Sequence, residues 1–198
     1  MVKGMLNRRD VVKTLLADRE KLLVVAGLGA PAYDLASCSN SPLDFPLWGA
    51  MGGAVMVGLG LALAQPTYNV LVLTGDGEML MGLSSLATAA SQKAKNLRIV
   101  VLDNERFGET GQQQTHTAVG TDLAQVARGC GLQDSRFITQ TADVERLRAE
   151  LYTATKTIFA VIKIAPQPEA KTLPPRDGAF LTHRMRAKLL GEKKALEG

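Results

Sequence analysis

Cysteine is scarce: Cys38 and Cys130 are the only two in 198 residues. Two thiols fall short of a zinc cage and of the four thiolates an iron–sulfur cluster takes from one chain. Both are expected to stay reduced in a cytoplasmic setting. An unbroken apolar run is lacking as well. Residues 45–64 carry no charge and approach the length of a membrane span, but Pro46 and glycines at 49, 52, 53, 58 and 60 interrupt them. No second apolar span follows, so the stretch reads as a buried helix with a glycine-rich entry rather than a membrane segment. Near the start, Lys3, Arg8, Arg9 and Asp10 are not followed by the apolar core of a signal peptide, which points to a cytoplasmic protein. There is no internal repeat. Charge of one sign is limited too: 23 Lys and Arg against 19 Asp and Glu leave a net charge of +4. That excess fits a preference for anionic ligands or an ordinary solvated surface, and gives no nucleic-acid signature.

What is present is the composition of a folded domain, 46% apolar and 21% charged, at a length suited to one hydrophobic core. The apolar positions of Arg8–Leu16 recur at helical spacing behind Asn7, a good N-cap. Leu22–Ala26 reads as a strand, 33–36 as a short helix, 39–46 as turns and 50–64 as the buried helix. Two β-rich runs, 70–74 and 99–102, flank a helix over 82–95 and form a βαβ unit. A polar loop over 105–120 follows, expected to hold no core element. A helix over 122–128, a strand over 137–139, a capped helix over 143–155 and a last strand over 158–164 complete a doubly wound α/β pattern with a mainly parallel sheet and helices on both faces. The division expected is a single ligand-binding domain over 1–165, then a proline-containing connector and basic terminal helix over 166–198.

Chemistry concentrates at two strand ends. Gly75-Asp76-Gly77-Glu78 follows one strand of the βαβ unit and Asp103-Asn104 follows the other. Parallel strands joined by a right-handed crossover bring both turns to the carboxyl edge of the sheet, where open α/β folds bind ligands. A carboxylate, an amide oxygen and a main-chain carbonyl suit Mg2+, which commonly shares its shell with phosphates. Gly75 and Gly77 let backbone N–H groups approach such an anion.

This Gly-Asp-Gly plus Asp-Asn arrangement resembles the cofactor motif of thiamine diphosphate-dependent enzymes. The resemblance implies that Asp76, Asn104 and the carbonyl of Arg106 hold Mg2+, with Gly75, Gly77, Glu78, Phe107 and Gly108 also among the cofactor-binding residues. The family often has Asn where Asp103 stands and a small polar residue where Glu78 stands. Trp48-Gly49-Ala50-Met51-Gly52 is similar to the family's aminopyrimidine-binding segment: Gly49 would offer its carbonyl to the 4′-amino group, and Met51 would prop the cofactor in its bent conformer. By itself the segment reads equally as the buried start of a helix. The run Asn104 to Gln112 and the segment 49–63 resemble most the β subunits of sulfopyruvate decarboxylase and the corresponding part of phosphonopyruvate decarboxylase. The implied substrate is a small anionic 2-oxo acid.

In this family the glutamate that activates the cofactor belongs to a separate pyrimidine-binding domain, and no stretch of this chain resembles that domain. A partner α subunit supplying the glutamate, and hence a hetero-oligomer, is the implication. Glu109, Thr110, Gln112 and His116 follow the metal motif and are the candidates for substrate contact or proton transfer. His116 and Glu109 read equally well as solvated loop residues. A carboligase subunit resembling acetolactate synthase and a non-catalytic phosphate-binding module remain as alternatives. Gly27-Leu-Gly29 and Gly58-Leu-Gly60 lack the third glycine of a dinucleotide fingerprint.

Overall fold

In a computed structural model of the protein, residues 5–197 are described; Lys3, part of the charged start, lies outside them. The strands are β1 Leu22–Ala26, β2 Asp44–Pro46, β3 Asn69–Gly75, β4 Leu97–Asp103, β5 Arg106–Phe107, β6 Gln113–Gln114, β7 Ser135–Ile138 and β8 Ile158–Lys163. The helices are α1 Arg8–Leu16, α2 Ala30–Cys38, α3 Ala54–Ala64, α4 Asp76–Met81, α5 Ser84–Gln92, α6 Leu123–Gly129, α7 Thr141–Thr153, α8 Gly178–Leu190 and α9 Glu192–Ala195.

Six strands form one sheet in the order β2-β1-β3-β4-β8-β7, and every pairing in it is parallel. Side chains alternate across the pleat, so each strand feeds two cores. Leu23, Val25, Val72, Ile99 and Val161 pack under α3, α5, α6 and Met185 of α8. Leu22, Val24, Leu71, Val100 and Ile162 pack under α1, α2 and α7. Both faces are therefore covered, as a parallel sheet of near-continuous apolar strands requires. β1 lies between β2 and β3, so the chain leaves it in one direction and returns on its other side. That reversal opens a crevice at the carboxyl ends of β1 and β3. Among the described residues no helix is long and apolar enough to cross a membrane.

Several expectations are corrected. The helix placed over 82–95 is the shorter α5, Ser84–Gln92, and a separate helix not expected, α4, precedes it, turning directly out of β3 and ending at Gly82. A Cβ on Gly82 would lie 2.4 Å from the Gly52 carbonyl oxygen, so the break is where a second backbone crosses. The buried helix begins at Ala54 rather than residue 50, because Ala50 and Gly52 take positive φ values of 57° and 90°. The turn-rich stretch before it contains the edge strand β2. The polar loop folds into a β5–β6 hairpin and a 3-10 turn over His116–Val119, and its Thr115 is buried. α7 starts at Thr141 with no side-chain cap.

Candidate active site

The crevice is lined from three directions: by Leu28, Gly29, Ala30 and Pro31 after β1, by Gly75, Asp76, Gly77 and Glu78 after β3, and by Asn104 and Arg106 through Thr110 after β4. Arg8 and Met51 complete its walls. The topology thus gathers Asp76, Asn104 and Arg106 into one cleft.

Asp76 is the first residue of α4 and is only 2% exposed. Its carboxylate accepts a hydrogen bond from the Thr115 hydroxyl, and the Thr117 hydroxyl oxygen lies 3.4 Å from it. Burial pushes its pKa up to about 6, with the nearby Asp103 adding to the rise and the Thr115 hydroxyl opposing it. Thr117 donates to Asp103 Oδ1 at 2.9 Å. Lys163, at the end of β8, donates to Asp103 Oδ2 at 2.9 Å. The two strand ends are therefore tied by a threonine bridge that arrives from the hairpin. Asn104 Oδ1 accepts the Arg106 N–H at 3.0 Å, closing a turn in which Glu105 has φ 61°. One lone-pair direction of that amide oxygen remains.

Glu78 faces two ways. It lines the cleft, yet its carboxylate accepts from Thr74 Oγ1 at 2.8 Å and from the Ala54 N–H at 3.3 Å. It so anchors the first turn of α3 to the end of β3, and burial raises its pKa. A Cβ on Gly27 would lie 1.6 Å from Glu78 Oε2, so glycine there makes room for the acid. Phe107 lies over Gly77, where a Cβ would meet the ring at 2.7 Å.

The other candidates separate. Glu109 and Thr110 line the cleft; Gln112 and His116 do not. The Gln112 amide folds back toward the Gly108 carbonyl at 3.4 Å. His116 borders an adjoining hollow with Leu80, Met81, Leu83 and Thr121, and Met51, Gly77 and Phe107 divide that hollow from the cleft. Gly49 and Ala50 are exposed beside the cleft rather than in its lining. Trp48 meets Tyr33 edge-on at 6.4 Å.

Residues without a motif also take part. Thr115, Thr117 and Lys163 hold the two acids. The connector crosses the rim, where Lys171 pairs with Glu109 at 3.1 Å and lies 5.2 Å from the Tyr33 ring centre. Arg176 sits 5.0 Å from the Trp48 ring centre. Threonine enrichment after Asn104 was the one visible sign of the bridge; nothing local to residue 163 or 171 announces its partner.

The donor chemistry fits a magnesium diphosphate. Among the described residues no three His, Cys, Asp or Glu side chains cluster as a metal cage. One carboxylate with amide and carbonyl oxygens is the partial, hard-oxygen set that a phosphate completes. No atom lies within 4 Å of where a Gly75 Cβ would stand, which leaves backbone open to an anion. In the comparison with protein families, residues 28–164 match the thiamine pyrophosphate enzyme C-terminal TPP binding domain; thiamine pyrophosphate is another name for thiamine diphosphate.

The chain belongs to the thiamine pyrophosphate enzyme family. Among its relatives is the sulfopyruvate decarboxylase β subunit of Methanothermobacter thermautotrophicus, 44% identical over 133 residues, which are 67% of this chain and 71% of that one. The corresponding subunit of Methanocaldococcus jannaschii is 40% identical over 126 residues, 63% of this chain and 66% of that one, just short of two thirds of its length. A solved putative thiamin diphosphate-dependent enzyme from Mycobacterium smegmatis superposes with a TM-score of 0.69 at 22% identity, covering 83% of this chain and 32% of that one. That likeness shows the fold.

Proposed function

We propose that this chain is the cofactor-binding β subunit of a two-subunit decarboxylase whose substrate is a 2-oxo acid ending in a sulfonate or phosphonate. The observation that carries the reading is the 44% identity to a sulfopyruvate decarboxylase β subunit over 71% of that subunit's length.

In this reading Asp76 and Asn104 hold Mg2+ through side-chain oxygens and Arg106 through its carbonyl. Gly75, Gly77, Phe107 and Gly108 take the diphosphate. Gly49, Ala50 and Met51 form the shelf for the aminopyrimidine ring, and Met is adaptable enough to wedge the bent conformer. Glu78 supports both halves by fixing the start of α3 to the end of β3. Thiamine diphosphate, when bound, supplies the electron sink that lets carbon dioxide leave. The chain's own work is to bind and orient, and Glu109 and Thr110 are the groups it brings to the substrate side. The activating glutamate comes from the partner's pyrimidine-binding domain.

The test is to co-express the chain with its partner and measure carbon dioxide and aldehyde from sulfopyruvate, phosphonopyruvate and pyruvate. Release from the anionic acids, with Asp76→Ala losing Mg2+-dependent cofactor retention and at least about 100-fold in rate, is the expected result. Normal retention by Asp76→Ala would sink the metal assignment. A product joined to a second carbonyl compound would favour the carboligase reading.

A further inference from the structure

Arg8 stands outside the segment that matches the family, which begins at residue 28. It reaches the cleft because Leu6 bridges in parallel to Ile164 at the end of β8, and α1 starts two residues later, capped by Asn7. Arg8 therefore lines the same crevice as Gly29, Ala30, Asp76 and Asn104.

Its environment is unusual for an arginine. The side chain is 9% exposed, so about nine-tenths of it is buried, and among the described residues none of its five N–H donors makes a hydrogen bond. The single polar contact is an ionic one, Nε to Asp34 Oδ2 at 3.4 Å, and both of these atoms lack a hydrogen-bond partner. Asp34 is fully buried and shared, because Arg9 approaches its other oxygen at 3.4 Å. Arg9 is further engaged by the Ala170 carbonyl at 2.7 Å and by Glu169 at 3.8 Å. Two guanidinium groups thus face one buried carboxylate, and the one with no other partner borders the cleft. Nε is Arg8's one fully buried donor without a hydrogen bond and is held by Asp34, whereas the two terminal amino groups have no protein partner among the described residues and stay accessible to a ligand in the cleft.

A second feature faces the same corner. α2, nine residues long, begins there with Gly29 at φ 75° as its N-cap and no side-chain cap, so the N–H groups of Ala30 and Ala32 have no side-chain acceptor, Pro31 between them having no N–H and Tyr33 donating to the Gly29 carbonyl. A planar guanidinium beside free helix-end N–H groups matches the shape and charge of a phosphate.

We propose that Arg8 is a cofactor contact, its guanidinium binding the terminal phosphate of the diphosphate in the cleft it lines with Asp76 and Asn104. The inference rests on the thiamine diphosphate reading of that cleft. A substrate sulfonate offers similar oxygens, and the choice falls on the diphosphate because Arg8 shares its wall with the β1, β3 and β4 ends rather than with Trp48 and Gly49.

The experiment is calorimetric titration of the full chain, with any subunit that co-purifies, using thiamine diphosphate and thiamine monophosphate in Mg2+. Arg8→Met is expected to raise the Kd for the diphosphate about 10- to 100-fold while changing the monophosphate Kd less than about threefold. Arg8→Lys should fall between. Asp34→Asn combined with Arg8→Met removes the ion pair without stranding a buried charge and should show the same selective loss. Arg9→Met, which perturbs Asp34 from outside the cleft, should leave the ratio of the two affinities unchanged. Equal losses for both ligands would overturn the proposal in favour of a packing role. Unchanged affinities with a raised substrate KM would overturn it in favour of substrate recognition. A wild-type protein that binds neither ligand would overturn the cofactor reading itself, an outcome distinct from either.

Discussion

Asp76 is placed where a carboxylate is costly to charge without a cation. Its pKa rises from 3.8 to about 6, mainly through burial, so the native metal-free protein holds a proton that the unfolded chain releases. Stability must then fall as pH rises from about 4 to about 6 and level off above that. Between pH 4.5 and 7.5 the loss amounts to roughly 2 kcal/mol, and Asp76→Asn should lack it. Urea denaturation in a chelator at several pH values, comparing the two proteins, checks the slope; parallel curves would sink the claim. The same residue shows what the sequence makes visible. Asp76 and Asn104 stand out because their chemistry sits at strand ends, which local pattern reveals. The threonines that position Asp76 are 39 and 41 residues away, and only the hairpin brings them back. Glu78 was legible as a departure from the family pattern but not as the tie between Thr74 and Ala54, which depends on Gly27 leaving room.

Elements with strong local signals were readable nearly to the residue. α1 runs Arg8–Leu16 behind its Asn7 cap and β1 runs Leu22–Ala26, as periodicity and capping indicate. The failures lie where tertiary contacts override pattern. β2 is three residues at the sheet edge ending in proline, too short to register. The separate helix α4, not expected ahead of α5, ends at the crossing of Gly82 and Gly52, a contact between segments 30 residues apart. That crossing also sets the height of the loop carrying Met51 over the cleft. Gly82→Ala would force its methyl against the Gly52 backbone at 2.4 Å, where no flexible side chain can yield. The expected cost is about 1–3 kcal/mol, seen as a lower denaturation midpoint at unchanged slope. Cofactor affinity should weaken with it, because the Met51 shelf moves. Unchanged stability would mean that the α4–α5 break has another cause.

At the scale of the whole molecule, what matters is which carboxylates the cleft leaves free. Three acids line it: Asp76, Glu78 and Glu109. Asp76 is bonded to Thr115, Glu78 to Thr74 and the α3 backbone, and Glu109 to Lys171 with the Tyr33 hydroxyl at 3.4 Å. Among the described residues none of these is a free glutamate beside the Gly49–Met51 shelf, where the aminopyrimidine ring would lie. In the proposed reading the ring's activating acid arrives on another surface, and the shelf's exposed Trp48 and Met51 border the region it would approach. Native mass spectrometry of the protein purified gently in Mg2+ reads partner and cofactor together. A second subunit with retained thiamine diphosphate is expected, and stripping that subunit should abolish decarboxylation while re-adding it restores the rate. A lone chain that turns over 2-oxo acids at full rate would place the activating acid within it, with Glu109 then the residue to substitute, since its partner Lys171 sits on the connector and is the easiest of the three holds to release.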